Sequence, residues 1–357
     1  MTAVGIPATS AHNRAQESPR SPRSLPRAVV LMLVVVILAL LPFVASVQSL
    51  VLMNRILVVG LMAASLSLLL GAAGLPSLGH GTFAGVGGYT SALVAVHWTS
   101  GALLQIAAAI LGSLVVAAAV GWVAVRAGGI YFLLLTLTIG QLAFYLVGSL
   151  SSVTGGANGL AGVPSGMLPL GLPTLDAPVV VYWYVLGATL LGYLFLRTLI
   201  RSPFGLVLNG IRDNERRMVA LGYCTGFYKY AAFCVAGVVA GFAGALNVTQ
   251  QRFVSPDDIG YQISVLLLLA VIIGGRRSLL GAFAGAAVIV LVQNQLSAYI
   301  AGYGDLLLGA AFVVIILFMP TGIEGAIKRI TAAARQTRRA LLGRRHAVNI
   351  EGSYDDK

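Results

Sequence analysis

The sequence predicts an all-α polytopic membrane protein, and three observations carry that reading. The residues are 58% hydrophobic and only 10% charged, with a mean hydropathy of +0.91. The chain holds 43 glycines, and small residues let helix backbones approach closely in lipid. Apolar runs of roughly 16–24 residues recur along it, each long enough to cross a bilayer. The net charge of +12 would suggest a nucleic-acid partner in a water-soluble chain. Its distribution gives a membrane signal instead, because Lys and Arg collect on one side of the apolar runs.

Taken in order, the runs lie at 28–47, 50–70, 77–96, 102–125, 130–150, 179–199, 226–249, 259–275, 279–299 and 303–320. They predict about ten transmembrane helices, which puts both termini on the same side. With that side cytoplasmic, Arg14, Arg20, Arg23, Arg27, Arg126, Arg197, Arg276, Arg277 and the cluster from Lys328 to Arg345 fall inside, and only Arg55 and Arg252 fall outside. Residues 1–27 read as a disordered basic cytoplasmic arm. They resemble a signal-peptide n-region, but the next run lacks a small-x-small exit and is expected to stay as the first span. The transmembrane domain covers 28–325, and 326–357 is a basic tail at the inner membrane surface. Runs eight and nine either span fully or form a re-entrant pair around Gly274 and Gly275.

Polar chemistry is sparse inside these runs. The three lysines, Lys229, Lys328 and Lys357, follow no glycine, so no phosphate-binding P-loop is present. Four scattered histidines show no metal spacing, and Cys224 and Cys234 read as packing residues. No span carries a carboxylate at its middle, which argues against a proton- or sodium-coupled carrier. The stretch Leu75–Tyr89 packs five glycines and Pro76 into a span. It serves either tight helix packing through Gly81 and Gly85, or a broken helix lining a path with His80 and Thr82 facing it. Gly237, Gly241 and Gly244 read as packing, and the echo of Gly81–Gly85 in Gly281–Gly285 as shared packing demand. The segment Ser152–Pro164 reads as an outer loop of positive-φ turns. Its amides at Thr154, Gly155, Gly156, Asn158 and Gly159 could meet a carboxylate. Gln141, Asn247 and Gln293–Gln295 could hydrogen-bond a zwitterionic solute, or a neighbouring helix.

The charged stretch Arg201–Gly222 stands apart, placing Arg201, Arg212, Asp213, Glu215, Arg216 and Arg217 between two spans. As a helix it puts Phe204, Leu208, Ile211 and Met218 on one stripe, with Asn209, Arg212 and Arg216 away from it. Asp213 can cap a second short helix. The stretch is either a lever moved by a cytosolic motor or an amphipathic segment in the headgroup layer.

Together these segments resemble the branched-chain amino acid permease family of ABC importers, the LivM-type subunit. The resemblance rests on LPSLGHGTFAGVGGYTSAL at 75–93, RAGGIYFLLLTLTIGQ at 126–141, TGGANGLAGVP at 154–164 and SPFGLVLNGIRDNERRMVALGY at 202–223. It continues with FVSPDD at 253–258 and IIGGRRSLLGAFAGA at 272–286. It implies a type II-like importer permease with cytosolic coupling helices in the bacterial inner membrane. The implied partners are a homologous H-type permease, two cytosolic ATPases and an extracytoplasmic solute-binding protein. The chain itself is then non-catalytic, with no cofactor or metal, and ATP is bound by partner subunits. A solute path past His80, Thr82, Gln141 and Thr154–Gly159 is expected. The ATPase-coupling residues are expected to be Phe204, Gly205, Leu208, Ile211, Arg212, Asn214, Glu215, Arg216, Met218, Leu221 and Gly222. Urea and short-chain amide importers share these motifs, a homodimeric permease stays open, and a passive channel or secondary carrier is the rival class.

Overall fold

A computed structural model describes residues 27–167, 174–299 and Gly309. Residues 1–26, the tenth apolar run at 303–320 apart from Gly309, and the basic tail lie outside the described residues. The first helix, α1 (Arg27–Leu40), ends where Pro42 enters a 3-10 turn (Leu41–Phe43) and removes a backbone donor. It belongs to a compact unit of its own ending at Val44, and the second unit begins at Ala45.

In the second unit, α2 (Val47–Ser67) is capped by the Ser46 side chain, which accepts from the Ser49 N–H. It widens into a π turn (Leu68–Ala73) and stops at Gly74, whose φ of +72° suits glycine. After an irregular stretch come α3 (His80–His97), α4 (Ala102–Ala124), α5 (Ile130–Ser149) and the short α6 (Ser151–Thr154). Next are α7 (Pro178–Arg201), α8 (Pro203–Asp213), α9 (Glu215–Ala220), α10 (Thr225–Gln251), α11 (Tyr261–Gly274) and α12 (Leu279–Tyr299). Two short strands, β1 (Leu160–Ala161) and β2 (Phe253–Val254), pair antiparallel.

The first nine apolar runs thus each contain a helix, but six stretches among the described residues are long and apolar enough to cross a membrane. These are Val47–Ala73, α4, α5, α7, α10 and Pro256–Gly274. The shortfall has physical causes. The glycines, two histidines and four hydroxyl residues dilute α3. With 14 residues at 1.5 Å per residue, α1 rises about 21 Å, short of the roughly 30 Å hydrocarbon core. The apolar part of α12 is the shorter stretch Leu279–Asn294. Tight packing joins α11 to α12, where a Cβ on Gly285 would lie 2.0 Å from the Ala270 carbonyl oxygen.

Buried and exposed helices sort clearly. The membrane-length window of α2 is 83% buried and that of α10 72%, against 17% for α5. Small residues explain how α10 reaches the centre. At its crossing with α3, a Cβ on Gly87 would lie 2.2 Å from the Gly241 carbonyl oxygen, so the two backbones touch. Along α4 one stripe is small, with Ala109, Ser113, Ala117 and Gly121 buried, while Leu111, Val115 and Trp122 on other faces are exposed. The Ser113 hydroxyl donates to the Ala109 carbonyl at 2.6 Å within its own helix, which answers its burial in an apolar setting. The expected packing role of Gly237, Gly241 and Gly244 matches these contacts. So does that of the Gly81–Gly85 face, since a Cβ on Gly85 would press on Ile259 at 2.2 Å.

Candidate functional site

Two features stand at opposite ends of the bundle. At one end, α8 and α9 form a platform across the ends of α2 and α10. Pro203 opens α8, and Gly205 fits under the α7–α8 corner, where a Cβ would lie 2.1 Å from the Ile200 carbonyl oxygen. The predicted stripe exists: Leu208, Ile211 and Met218 are buried, and Phe204 is half-buried and stacks on Tyr228 at 5.7 Å.

Three expectations about this segment are corrected. The stripe is already buried within the chain itself, so these side chains hold the platform to the bundle and are not free anchors for a partner. The apolar side chains that stay open are Leu206, Val219 and Leu221, at 68%, 56% and 66% exposure. Second, Asn214, not Asp213, caps α9, with its Oδ1 accepting from the Arg217 N–H at 3.0 Å. Asn214 has the extended backbone a cap requires, whereas Asp213 ends α8. Third, Arg212, although away from the stripe, is not turned out to solvent. Its side chain is 16% exposed, and its Nη1 donates to the Gly71 carbonyl in the π turn of α2. Its Nη2 pairs with Asp213 at 2.8 Å, and Asp213 also meets Arg277 at 3.8 Å. The Arg212 hydrogen bond holds the Asp213 carboxyl below the usual carboxylate range. That contribution is complete above the ordinary carboxylate pKa of about 3.9 and is lost as pH falls through the lowered value, so the link stands intact at neutral pH.

The remaining coupling candidates fall around this linkage. Lys229 of α10 donates to Glu215 at 2.6 Å, tying α9 to the next span. Arg216 is exposed, and Gly222 turns the chain with φ +87°.

The sequence-chosen path residues do not meet in one cavity. His80 is fully buried and its Nε2 shares a hydrogen bond with the Ser65 hydroxyl at 2.7 Å. Thr82 is 2% exposed, and its hydroxyl has no partner among the described residues. It lies beside Gly140, where a Cβ would be 3.2 Å away, one residue before the half-buried Gln141. The Thr154–Gly159 turn has the positive φ expected at Gly155, Gly156 and Gly159. Its amides are used internally: Gly155 donates to Ser151, Gly156 to the Thr154 hydroxyl and Gly159 to Gly156. Thr154 itself donates to the Val147 carbonyl at 2.6 Å, and Asn158 is exposed. The loop therefore packs under the β2 segment and is not an open anion nest. Of the two cysteines, Cys234 is buried as expected and Cys224 is exposed.

At the other end of the bundle, a cavity of about 100 Å³ opens among α2, α3, α10, α11 and α12. Arg55, Asp258, Asn247, Gln251 and Gln293 line it on the polar side, and Val59, Met62, Leu267, Ile289 and Val290 on the apolar side. Arg55 Nη2 reaches Gln293 Oε1 at a long 3.5 Å, and Gln251 Nε2 donates to Asn247 Oδ1 at 2.8 Å.

Residues 48–316 match the family described as "Branched-chain amino acid transport system / permease component". The chain belongs to that family. It is 27% identical over 319 residues to the high-affinity branched-chain amino acid transport system permease protein LivM of Salmonella typhimurium, covering 82% of this chain and 74% of that one. With the LivM protein of Escherichia coli K12 the identity is 26% over 308 residues, covering 79% and 71%. The chain also aligns with the LivH permease protein of Escherichia coli K12, 27% identical over 289 residues, covering 74% and 90%. No solved structure matches it significantly. This permease-family chain is thus a multi-pass membrane protein, and its relatives are transport components. Sequence reasoning named Asn247 and Gln293 as polar groups in the cavity but missed Arg55 and Asp258. A lone outward Arg and an Asp-Asp pair near a span end carried the only signal.

Proposed function

We propose that this chain is a non-catalytic permease subunit of an ATP-driven type II-like importer for branched-chain or related amino acids, working in the bacterial inner membrane. The observation that carries the reading is similarity to both LivM and LivH along most of the chain, which implies a pair of related permeases. We take the pair to be heterodimeric, each chain crossing about ten times with both termini cytoplasmic. The solute path runs between the two chains, with Gln141 on the sparsely buried α5 facing it. Two cytosolic ATPases dock on the α8–α9 platform through Leu206, Val219, Leu221 and the neighbouring Arg216, and an extracytoplasmic binding protein delivers solute.

Uptake of labelled leucine, urea and a sugar in a deletion strain, with and without this chain, tests the solute. Leucine uptake alone should depend on the chain. Urea uptake in its place would move it to the amide importers. In the same strain, Leu206→Asp with Leu221→Asp is expected to abolish uptake while the protein stays in the membrane. Full transport by that variant would remove the docking face.

A further inference from the structure

Three arginines at the platform end of the bundle take no part in the linkage around Arg212. Arg197 and Arg201 lie in the last two turns of α7, and Arg276 stands in the turn before α12. None of the three forms an ion pair among the described residues. Both carboxylates of the platform are already taken, Asp213 by Arg212 and Arg277, and Glu215 by Lys229.

The three arginines flank one cleft, with α7 and α12 as its walls and α2 as its floor. A Cβ on Gly192 of α7 would lie 2.9 Å from Leu61 Cδ1 of α2. One on Gly60 of α2 would lie 2.3 Å from Phe283 Cδ1 of α12. At that depth Tyr193 and Phe283 close the cleft edge to face, with ring centroids 6.1 Å apart. Arg197 and Arg201 follow Tyr193 at successive helical turns, so the three share one stripe of α7. Both arginines lie within electrostatic reach of the Tyr193 hydroxyl. At the foot of the other wall, the Arg276 carbonyl accepts from the Ser67 hydroxyl at 3.3 Å and packs on Gly71. Gly71 lies about 16 Å further along α2 than Gly60, at 1.5 Å per residue. Arg276 thus reaches the platform edge of the bundle, as Arg201 does, and both are exposed there. Leu194 and Phe195 on one wall and Leu280 on the other are apolar and also exposed.

We propose that this cleft holds an anionic phospholipid, its phosphate on Arg197, Arg201 and Arg276 and an acyl chain along Leu194, Phe195 and Leu280. Guanidiniums offer paired N–H donors that match phosphate oxygens. Basic pockets between spans recognise acidic headgroups in this way. A lone arginine at a span end snorkels to any headgroup. Three from two helices, with no acid to neutralise them, select net negative charge, because a zwitterionic headgroup brings its own cation against them. Arg201 leads directly through Ser202 into α8, so the lipid sits at the root of the platform. The site goes beyond the importer reading and does not depend on it.

The test is native mass spectrometry of the full-length chain, purified in detergent with the subunits that copurify. It is titrated with dioleoyl phosphatidylglycerol, dioleoyl phosphatidylcholine or glycerol 3-phosphate. The wild-type chain should take up phosphatidylglycerol at least tenfold more tightly than phosphatidylcholine, and should not retain glycerol 3-phosphate. Changing Arg197, Arg201 and Arg276 together to Gln should erase that preference, while changing all three to Lys should keep most of it. Arg126→Gln, which removes an unpaired cation from the end of α4, should leave it unchanged. Equal binding of the two lipids by the wild-type chain would overturn the proposal, and so would an unchanged preference in the Gln variant. Loss of the preference in the Lys variant would overturn it too, since charge would not be what holds the lipid. Retention of glycerol 3-phosphate would make the cleft a site for free phosphate esters. Retention of neither lipid would mean that a protein neighbour covers the cleft, and would equally overturn the claim. No transport is measured, so failure here leaves the importer reading standing, and failure of that reading leaves the lipid site.

Discussion

Replacing Gly241 with leucine is expected to prevent the bundle from assembling. A Cβ at that position would lie 1.6 Å from the Ser113 hydroxyl oxygen and 2.4 Å from the Ser113 Cβ. Across the same crossing, α3 already rests on the Gly241 carbonyl through Gly87. Overpacking a core costs about 1–3 kcal/mol where neighbours can yield. Here one neighbour is backbone, and α10 is the most central helix after α2. The loss should therefore reach several kcal/mol of a total near 5–15 kcal/mol. A fluorescent fusion in detergent, followed by size exclusion, should show the Gly241→Leu chain aggregated or absent. Gly241→Ala should fall between the two, and adding Ser113→Gly should restore most of it, because that change removes both clashing atoms. Wild-type recovery of Gly241→Leu would mean that the α4–α10 crossing is looser than described.

Arg212→Ala should have the largest effect on function without comparable loss of fold. Arg212 joins three pieces: α8, the π turn of α2 through the Gly71 carbonyl, and the α11–α12 turn through Asp213 and Arg277. Gly74 fits against its stem, where a Cβ would lie 2.7 Å from Arg212 Cγ. A push on α8 therefore reaches the end of α2, six residues before the start of α3, and the hairpin of α11 and α12 together. Losing a hydrogen bond to a charged group costs about 1.5–3 kcal/mol, which a large bundle can absorb. Transport, which needs the platform and the spans to move as one, should fall more than tenfold while the partner ATPases still hydrolyse ATP. Lysine should not replace it, since an ammonium cannot hold the carbonyl and the carboxylate in one planar fork. Normal uptake by Arg212→Ala would show that force reaches the spans by another route, with the Glu215–Lys229 contact the next candidate.

How far the sequence foretold all this depends on the range of the interaction. Helix positions were legible because apolar runs are local, and the stripe of Phe204, Leu208 and Ile211 was legible because its period is local too. The packing glycines announced themselves by spacing. What failed was the question of what each face meets. Burial of Leu208 and Ile211 could be foreseen, but whether bundle or partner would bury them could not. The Arg212 contact spans 141 residues and the Arg55–Gln293 contact 238, separations that no periodicity encodes. The shift from Asp213 to Asn214 as cap turned on a single residue of helix boundary. The Thr154–Gly159 turn was right in its backbone angles and wrong in its openness, because β2 covers it.

The central claim is that this permease moves solute only when ATPases drive it. Proteoliposomes that contain this chain, its permease partner and both ATPases, supplied with binding protein and labelled leucine, test it directly. Accumulation against a gradient that requires ATP hydrolysis, and stops when ATP is withdrawn, is the predicted result. Equilibrating leucine flux through this chain alone, indifferent to ATP, would contradict the account and make the protein a channel.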